Sequence, residues 1–142
     1  MTTRDIHNTL FPVMGLDFQN ITTDTTTVGN IIDTAEDPGY NSLEFLFLSS
    51  TITDGTYTPL IEDGEDPGLS DASPVADSGL IGTEAEAAFV AADDDLVKRI
   101  GYIGGKRFVR ASLVSTGTSS GGNLGAISQR GHARNAPVPG NS

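Results

Sequence analysis

The chain has 142 residues, with 19 Asp and Glu against 8 Lys and Arg, a formal net charge of −11, two histidines, and neither cysteine nor tryptophan. Such a length fits one domain that buries a core without staples. The lack of cysteine excludes a disulfide framework and thiolate metal sites, and the acidic balance argues against nucleic acid as a partner. The charge is also divided along the chain. Residues 1–95 hold every acid and one arginine, for −18, whereas residues 96–142 hold seven Lys and Arg and no acid, for +7. Such asymmetry points to charge pairing, either within the fold or with a partner.

Residues 1–17 show no strand alternation and read as an N-terminal arm. Leu10, Phe11, Val13 and Met14 within it are costly to leave in water, so the arm is expected to dock on a partner. The first ten residues carry no apolar run of signal-peptide length. "NIT" at 20–22 matches a glycosylation sequon, a short pattern with nothing else here pointing to a secretory route. Residues 26–32, "TTVGNII", are β-branched and read as a strand. Residues 42–50, "SLEFLFLSS", are the clearest strand: Leu43, Phe45 and Phe47 share one face and Leu46 and Leu48 the other, as in a central strand covered on both sides. Its apolar run is far too short to cross a bilayer, and no membrane partner is expected. Residues 56–62, "TYTPLIE", follow an Asp54-Gly55 turn signal, and Pro59 places this strand at an edge or a bulge.

Residues 63–79 form a long acidic, turn-rich loop. If it held a hard cation, Asp63, Glu65 and Asp66 would be the first ligands. The EF-hand spacing is not met, so a solvated turn, with no metal or cofactor, is the expectation. Residues 85–91 suit a helical turn or a strand. Residues 96–103 and 106–115 read as two strands of a hairpin around Gly104-Gly105, and 124–129 as a closing strand. Residues 130–142, with two prolines and two arginines, read as a C-terminal tail. The resulting expectation is an all-β protein: an antiparallel β-sandwich, jelly-roll-like, over 18–129, with extended arms at 1–17 and 130–142.

No enzymatic chemistry is legible. His7 and His132 lie near opposite ends of the chain, neither in a nucleophile-elbow context. "GYIGGK" is not a phosphate-binding loop. The cations stand out instead. Lys106, Phe108, Arg110 and Ser112 share one face of their strand, and Arg107, Val109, Ala111 and Leu113 the other. Lys106, Arg107 and Arg110, with Arg130 and Arg134 of the tail, are therefore expected to meet acidic surface on a partner protein, their stems lying over apolar surface. The alternative is that these cations meet acids of the neighbouring strand or of the Asp93–Asp95 turn.

The order "AADDDLVKRIGYIGGKRFVRASL", a Gly/Ser/Thr-rich turn, then "GAISQRGHARNAPV" resembles a group of small virion proteins of tailed bacteriophages. The matching residues are Lys98, Gly101, Tyr102, Gly104, Lys106, Arg107, Phe108 and Arg110, then Gly131, His132, Ala136 and Pro137. Two residues, Arg99 and Ile100, separate Lys98 from Gly101, one more than the group's pattern. "YNSLEFLFLSSTITDGTYTPLIED" resembles the group's earlier strands, and the likeness covers roughly residues 38–138. The resemblance implies a head decoration, or cement, protein. Such a protein is made in the host bacterial cytoplasm and bound on the capsid exterior, with the major capsid protein and further copies of itself, as a trimer, for partners. Other virion roles (tail, head completion, fibre) and a carbohydrate-binding β-sandwich are the alternatives. The lack of Trp counts against the last.

Overall fold

The structure, a computed structural model, describes residues 5–135 and 137–139. Ala136 and the outermost residues of the two expected arms, 1–4 and 140–142, lie outside the described residues.

The organising strand is β4 (Tyr40–Ile52). Its alternation turns Leu43, Phe45 and Phe47 into the core, with both phenylalanines fully buried, and leaves Leu46 and Leu48 half-buried on the opposite face. β4 lies mid-sheet, between β10 (Gly122–Ala133) and β8 (Val97–Tyr102). β1 (Phe11–Ile21) pairs with the far side of β10, and the two-residue β7 (Leu80–Ile81) with the far side of β8, giving one antiparallel sheet in the order β1-β10-β4-β8-β7.

The second sheet is built on β9 (Phe108–Thr116). It pairs with β5 (Thr56–Gly64) on one side and with β2 (Thr26–Thr27) and β3 (Ile31–Asp33) on the other, while β6 (Ser73–Pro74) adds to the outer edge of β5. β2 and β3 are in effect one strand interrupted at Gly29. A Cβ there would stand 1.8 Å from the Ala111 carbonyl oxygen and 2.5 Å from that of Gly15, so only glycine lets the three backbones meet. A single 3-10 turn, Asp77–Gly79, is the one helical element among the described residues.

The inner faces of the two sheets share one core: Leu16, Phe45, Phe47, Ile100, Leu124 and Ala126 from the first, with Tyr57, Ile61, Val109, Ala111 and Leu113 from the second. A tyrosine ties the sheets together at each end. Tyr57 donates to the Asp54 carbonyl at 2.9 Å, with the Ile21 carbonyl at 3.3 Å. At the other end Tyr102 donates to the Asp63 carboxylate at 2.7 Å and accepts the Lys106 N–H.

Pro59 sits as expected on a side of β5 where no strand pairs with it, although residues 84–89 cover that side. The N–H groups of Tyr57 and Ile61 point away from β9, to the Phe89 carbonyl and the Glu84 carboxylate, and Pro59 between them has no N–H to satisfy. Residues 85–91 form a turn and one isolated bridge from Phe89 to Tyr57, not a strand.

Three expectations are corrected. The hairpin at Gly104-Gly105 does not exist: β8 and β9 belong to different sheets, and residues 103–107 cross between them. The expected N-terminal arm ends earlier, because residues 11–17 are the first part of β1, and only residues 5–10 precede the sheet among the described residues. The C-terminal boundary moves as well, since β10 continues through Ala133.

Candidate interaction surface

The nine residues singled out as partner-binding fall into two sets once their neighbours are known. Arg130 lies on β10 opposite Leu43, a register position that faces inward, and it is only 2 % exposed. Its guanidinium sits between the rings of Phe11 and Tyr40, at 4.9 and 4.6 Å from their centroids, and reaches the Glu36 carboxylate at 2.5 Å. Arg130 is therefore an internal fastener, and the expectation that it meets a partner is overturned. Phe11 is half-buried against it. Val13 packs on the core, while Met14 faces outward and is 48 % exposed.

Arg110 and Glu62 are direct cross-strand neighbours on β9 and β5, paired at 2.9 Å with both side chains largely covered. Arg107 grips Asp33 with two bonds, at 2.8 and 2.9 Å. This contact holds the Asp33 carboxyl below its usual range and raises the arginine further. Arg110 and Arg107 thus take the alternative that the sequence left open, acids of adjacent strands. Lys98 does the same with Asp93 of the Asp93–Asp95 turn at 3.2 Å. That turn is itself fastened to β4: Asp94 accepts the Ile52 N–H, and Ser49 donates to the Asp93 carbonyl.

Lys106 and Arg134 remain. Both are exposed, and neither has a carboxylate within ion-pair distance among the described residues. Arg134 Nε donates to Asn41 Oδ1 at 3.2 Å, and its backbone N–H to the Gly39 carbonyl. Both residues border a cleft with Thr34, Tyr40 and Asn41. A neighbouring cleft of about 330 Å³ is lined by Leu10, Leu43, Ile81, Tyr102, Ile103 and Gln129. Ile81 and Ile103 on its rim are 62 % and 59 % exposed, and Ile6 close by is 65 % exposed.

This end of the fold is assembled from distant parts of the chain. Residues 5–10 make a turn in which Asp5 accepts from Asn8, and the Thr9 and Leu10 N–H groups return to the Ile6 carbonyl. The buried Val138 donates its N–H to the Asn8 carbonyl, bringing the two ends of the described chain together. Ile81 escaped the sequence reading because it stands in a turn-rich segment without alternation, whereas Ile103 was read as the end of a strand that the structure stops at Tyr102.

The acidic loop does not gather its carboxylates. Asp63 accepts from Tyr102, Glu65 from the Arg107 N–H, and Asp66 from the Gly68 and Ser70 N–H groups of its own turn. Among the described residues no group of three or more His, Asp or Glu side chains is placed to hold a metal ion. At the opposite end of the fold Asp54 accepts from the Ser119 hydroxyl and from the N–H groups of Ser119, Ser120 and Gly121, which hold its carboxyl far below the ordinary range. Asp24 caps the same turn through Thr118.

No family model matches the chain, and no curated protein matches it either.

Proposed function

We propose that the protein is a structural component of a tailed-bacteriophage particle, a head decoration or cement protein that binds the outside of the assembled capsid. One observation carries this reading. The N-terminal turn, the crossing loop and the end of β10 converge on one end of the fold, where exposed Ile6, Ile81 and Ile103 stand near Lys106 and Arg134, which have no ion-pair partner among the described residues. A surface of apolar side chains rimmed by uncommitted cations suits an acidic patch on another protein, here the major capsid protein. The strand orders β1-β10-β4-β8 and β2-β9-β5-β6 support a β-sandwich of the jelly-roll kind, an architecture that viral shell proteins share. The likeness of residues 38–138 to small virion proteins points the same way. Many copies, each held weakly, would stabilise a shell through multivalency rather than through one tight site.

The test is to add purified protein to phage heads that lack it, pellet them, and count bound copies at low and high salt. Saturable binding at hundreds of copies, weakened by salt and by the double variant K106E/R134E, is the expected result. Binding of a dozen copies or fewer would move the protein to the connector or tail. Binding indifferent to K106E/R134E would remove this end of the fold from the contact.

A further inference from the structure

The outer face of the first sheet has a composition that water does not favour. β4 register places Leu46 beside Ile127 of β10, with Met14 of β1 beyond it; the next rung holds Leu48 beside Gly125, with Val97 of β8 on the other side. Gly125 is flanked by Phe18, whose Cα lies 2.7 Å from where a Cβ would stand. The third rung runs from Pro12 through Gln129, Glu44 and Gly101 to Ile81. Met14, Phe18, Val97 and Ile81 are between 48 % and 62 % exposed, and Leu46, Leu48 and Ile127 between them are half-buried. A continuous apolar patch of this kind on a chain of net charge −11 marks a contact surface.

We propose that this face is a two-fold contact between two copies of the chain. Two features favour a second copy over another occupant. The first is charge. The outward positions of these three rungs carry one acid and one base, Glu44 and Arg99, which touch only loosely at 3.9 Å with the Arg99 side chain 75 % exposed. A patch with no net charge is where two strongly acidic molecules approach with least repulsion. Two-fold packing beside this pair sets Arg99 of each copy against Glu44 of the other, so the face is complementary to itself. A ring of three would instead need two different patches.

The second feature is size. Four strands about 4.8 Å apart and roughly six residues long, with the two-residue β7 at one edge, give a projection of about 400 Å². Side-chain relief brings this to roughly 500 Å² of accessible surface per copy, about 1,000 Å² in all, the size of a weak, concentration-dependent contact. The contact shares Ile81 with the end proposed to meet the capsid but does not rest on that reading, and the free protein suffices to test it.

The experiment is sedimentation and light scattering of the full chain from about 1 to 100 µM, alone and as variants. The expected result is a concentration-dependent dimer that V97E and L46E shift toward monomer by at least about tenfold in dissociation constant, with unchanged circular dichroism. Val97 is largely exposed, so V97E tests the contact without burying a charge in the fold. R99E and E44R should each weaken the homodimer, and mixing the two variants should restore association, because each mixed pair then meets opposite charges. The loose pair within each chain is lost either way, so rescue on mixing reports the contact between copies. A monomer across the whole range, a trimeric mass, an oligomer indifferent to V97E and L46E, or failure of the mixed variants to associate would each overturn the proposal.

Discussion

Tyr102 joins the two sheets at the end that carries Lys106, and Tyr102→Phe isolates what that join contributes. The side chain is 6 % exposed; its hydroxyl donates to Asp63 at 2.7 Å and accepts the Lys106 N–H at 3.0 Å. The ring would stay and no cavity would form, so the loss is that of a hydrogen bond to a charged group, about 1.5–3 kcal/mol. Water can reach Asp63 and Lys106 after the change, which sets the expectation near 2 kcal/mol, or about 4–8 °C in Tm for a chain of this length. Urea unfolding should show a lower midpoint with the same m-value.

The variant also carries a signature at alkaline pH. Burial, and then the bond to Asp63, push the Tyr102 hydroxyl well above the ordinary tyrosine range. A raised folded-state value means that the unfolded chain releases its proton first. Stability from this group is therefore whole below about pH 10 and falls as pH rises beyond it, by up to about 1.4 kcal/mol per pH unit. Y102F should flatten that fall by one group, leaving the smaller contributions of Tyr40 and Tyr57, both also raised by burial. A Y102F protein within about 0.5 kcal/mol of wild type, with an unchanged alkaline limb, would refute the view that this join holds the sheets together.

Gly29→Ala should cost more than about 3 kcal/mol or prevent folding, since its Cβ would overlap the Ala111 carbonyl, while Gly105→Ala, with nothing within 4 Å, should be within about 0.5 kcal/mol of neutral; denaturant midpoints separate the two. Arg130→Ala should destabilise by about 3–5 kcal/mol, because it removes the fastener between Phe11, Tyr40 and Glu36, and Glu36→Gln should also destabilise, by more than about 1 kcal/mol, because it leaves the buried guanidinium without its carboxylate; calorimetry of both checks this. The Asp54 carboxyl is held low by the 119–121 turn, so the stability it supplies is whole above about pH 4 and lost as pH falls below that; Asp54→Asn should flatten the acid limb of a Tm-against-pH curve. The double variant K106E/R134E should leave Tm unchanged while weakening capsid binding, since neither cation has an ion-pair partner among the described residues.

The strands that could be read in advance are those whose pattern is local and unbroken. β4 alternates without a slip from Leu43 to Phe47, and β5 follows an Asp-Gly turn. β1 was hidden because its period slips twice, between Met14 and Leu16 and between Leu16 and Gln19; the residues that face the core, Val13, Leu16 and Ile21, are thus not evenly spaced. β8 and β9 were legible as strands, but not as members of different sheets, because a short glycine-containing connection serves a hairpin and a crossing equally well.

The cations show a similar limit. Charge at Arg107, Arg110 and Arg130 was plain, yet whether an arginine faces an acid of its own chain depends on long-range register, which places Glu62 against Arg110 and Leu43 against Arg130. Two apolar faces on β4 were read as burial on both sides. The structure buries one of them and leaves the other to the sheet surface.

The pairing of β10 has a consequence for how the chain comes to be folded. β10 lies between β1 and β4, so β1 has no neighbour in the sheet, and β4 has only β8, until β10 has been made; Phe11 waits for Arg130, roughly 120 residues later. On a ribosome adding about 5–20 residues per second, the first sheet stays open between β1 and β4 for several seconds. The first sheet therefore closes only after β10 has been made. A chain cut short before β10 would lose the centre of a sheet and, with it, the means to fold the residues already made.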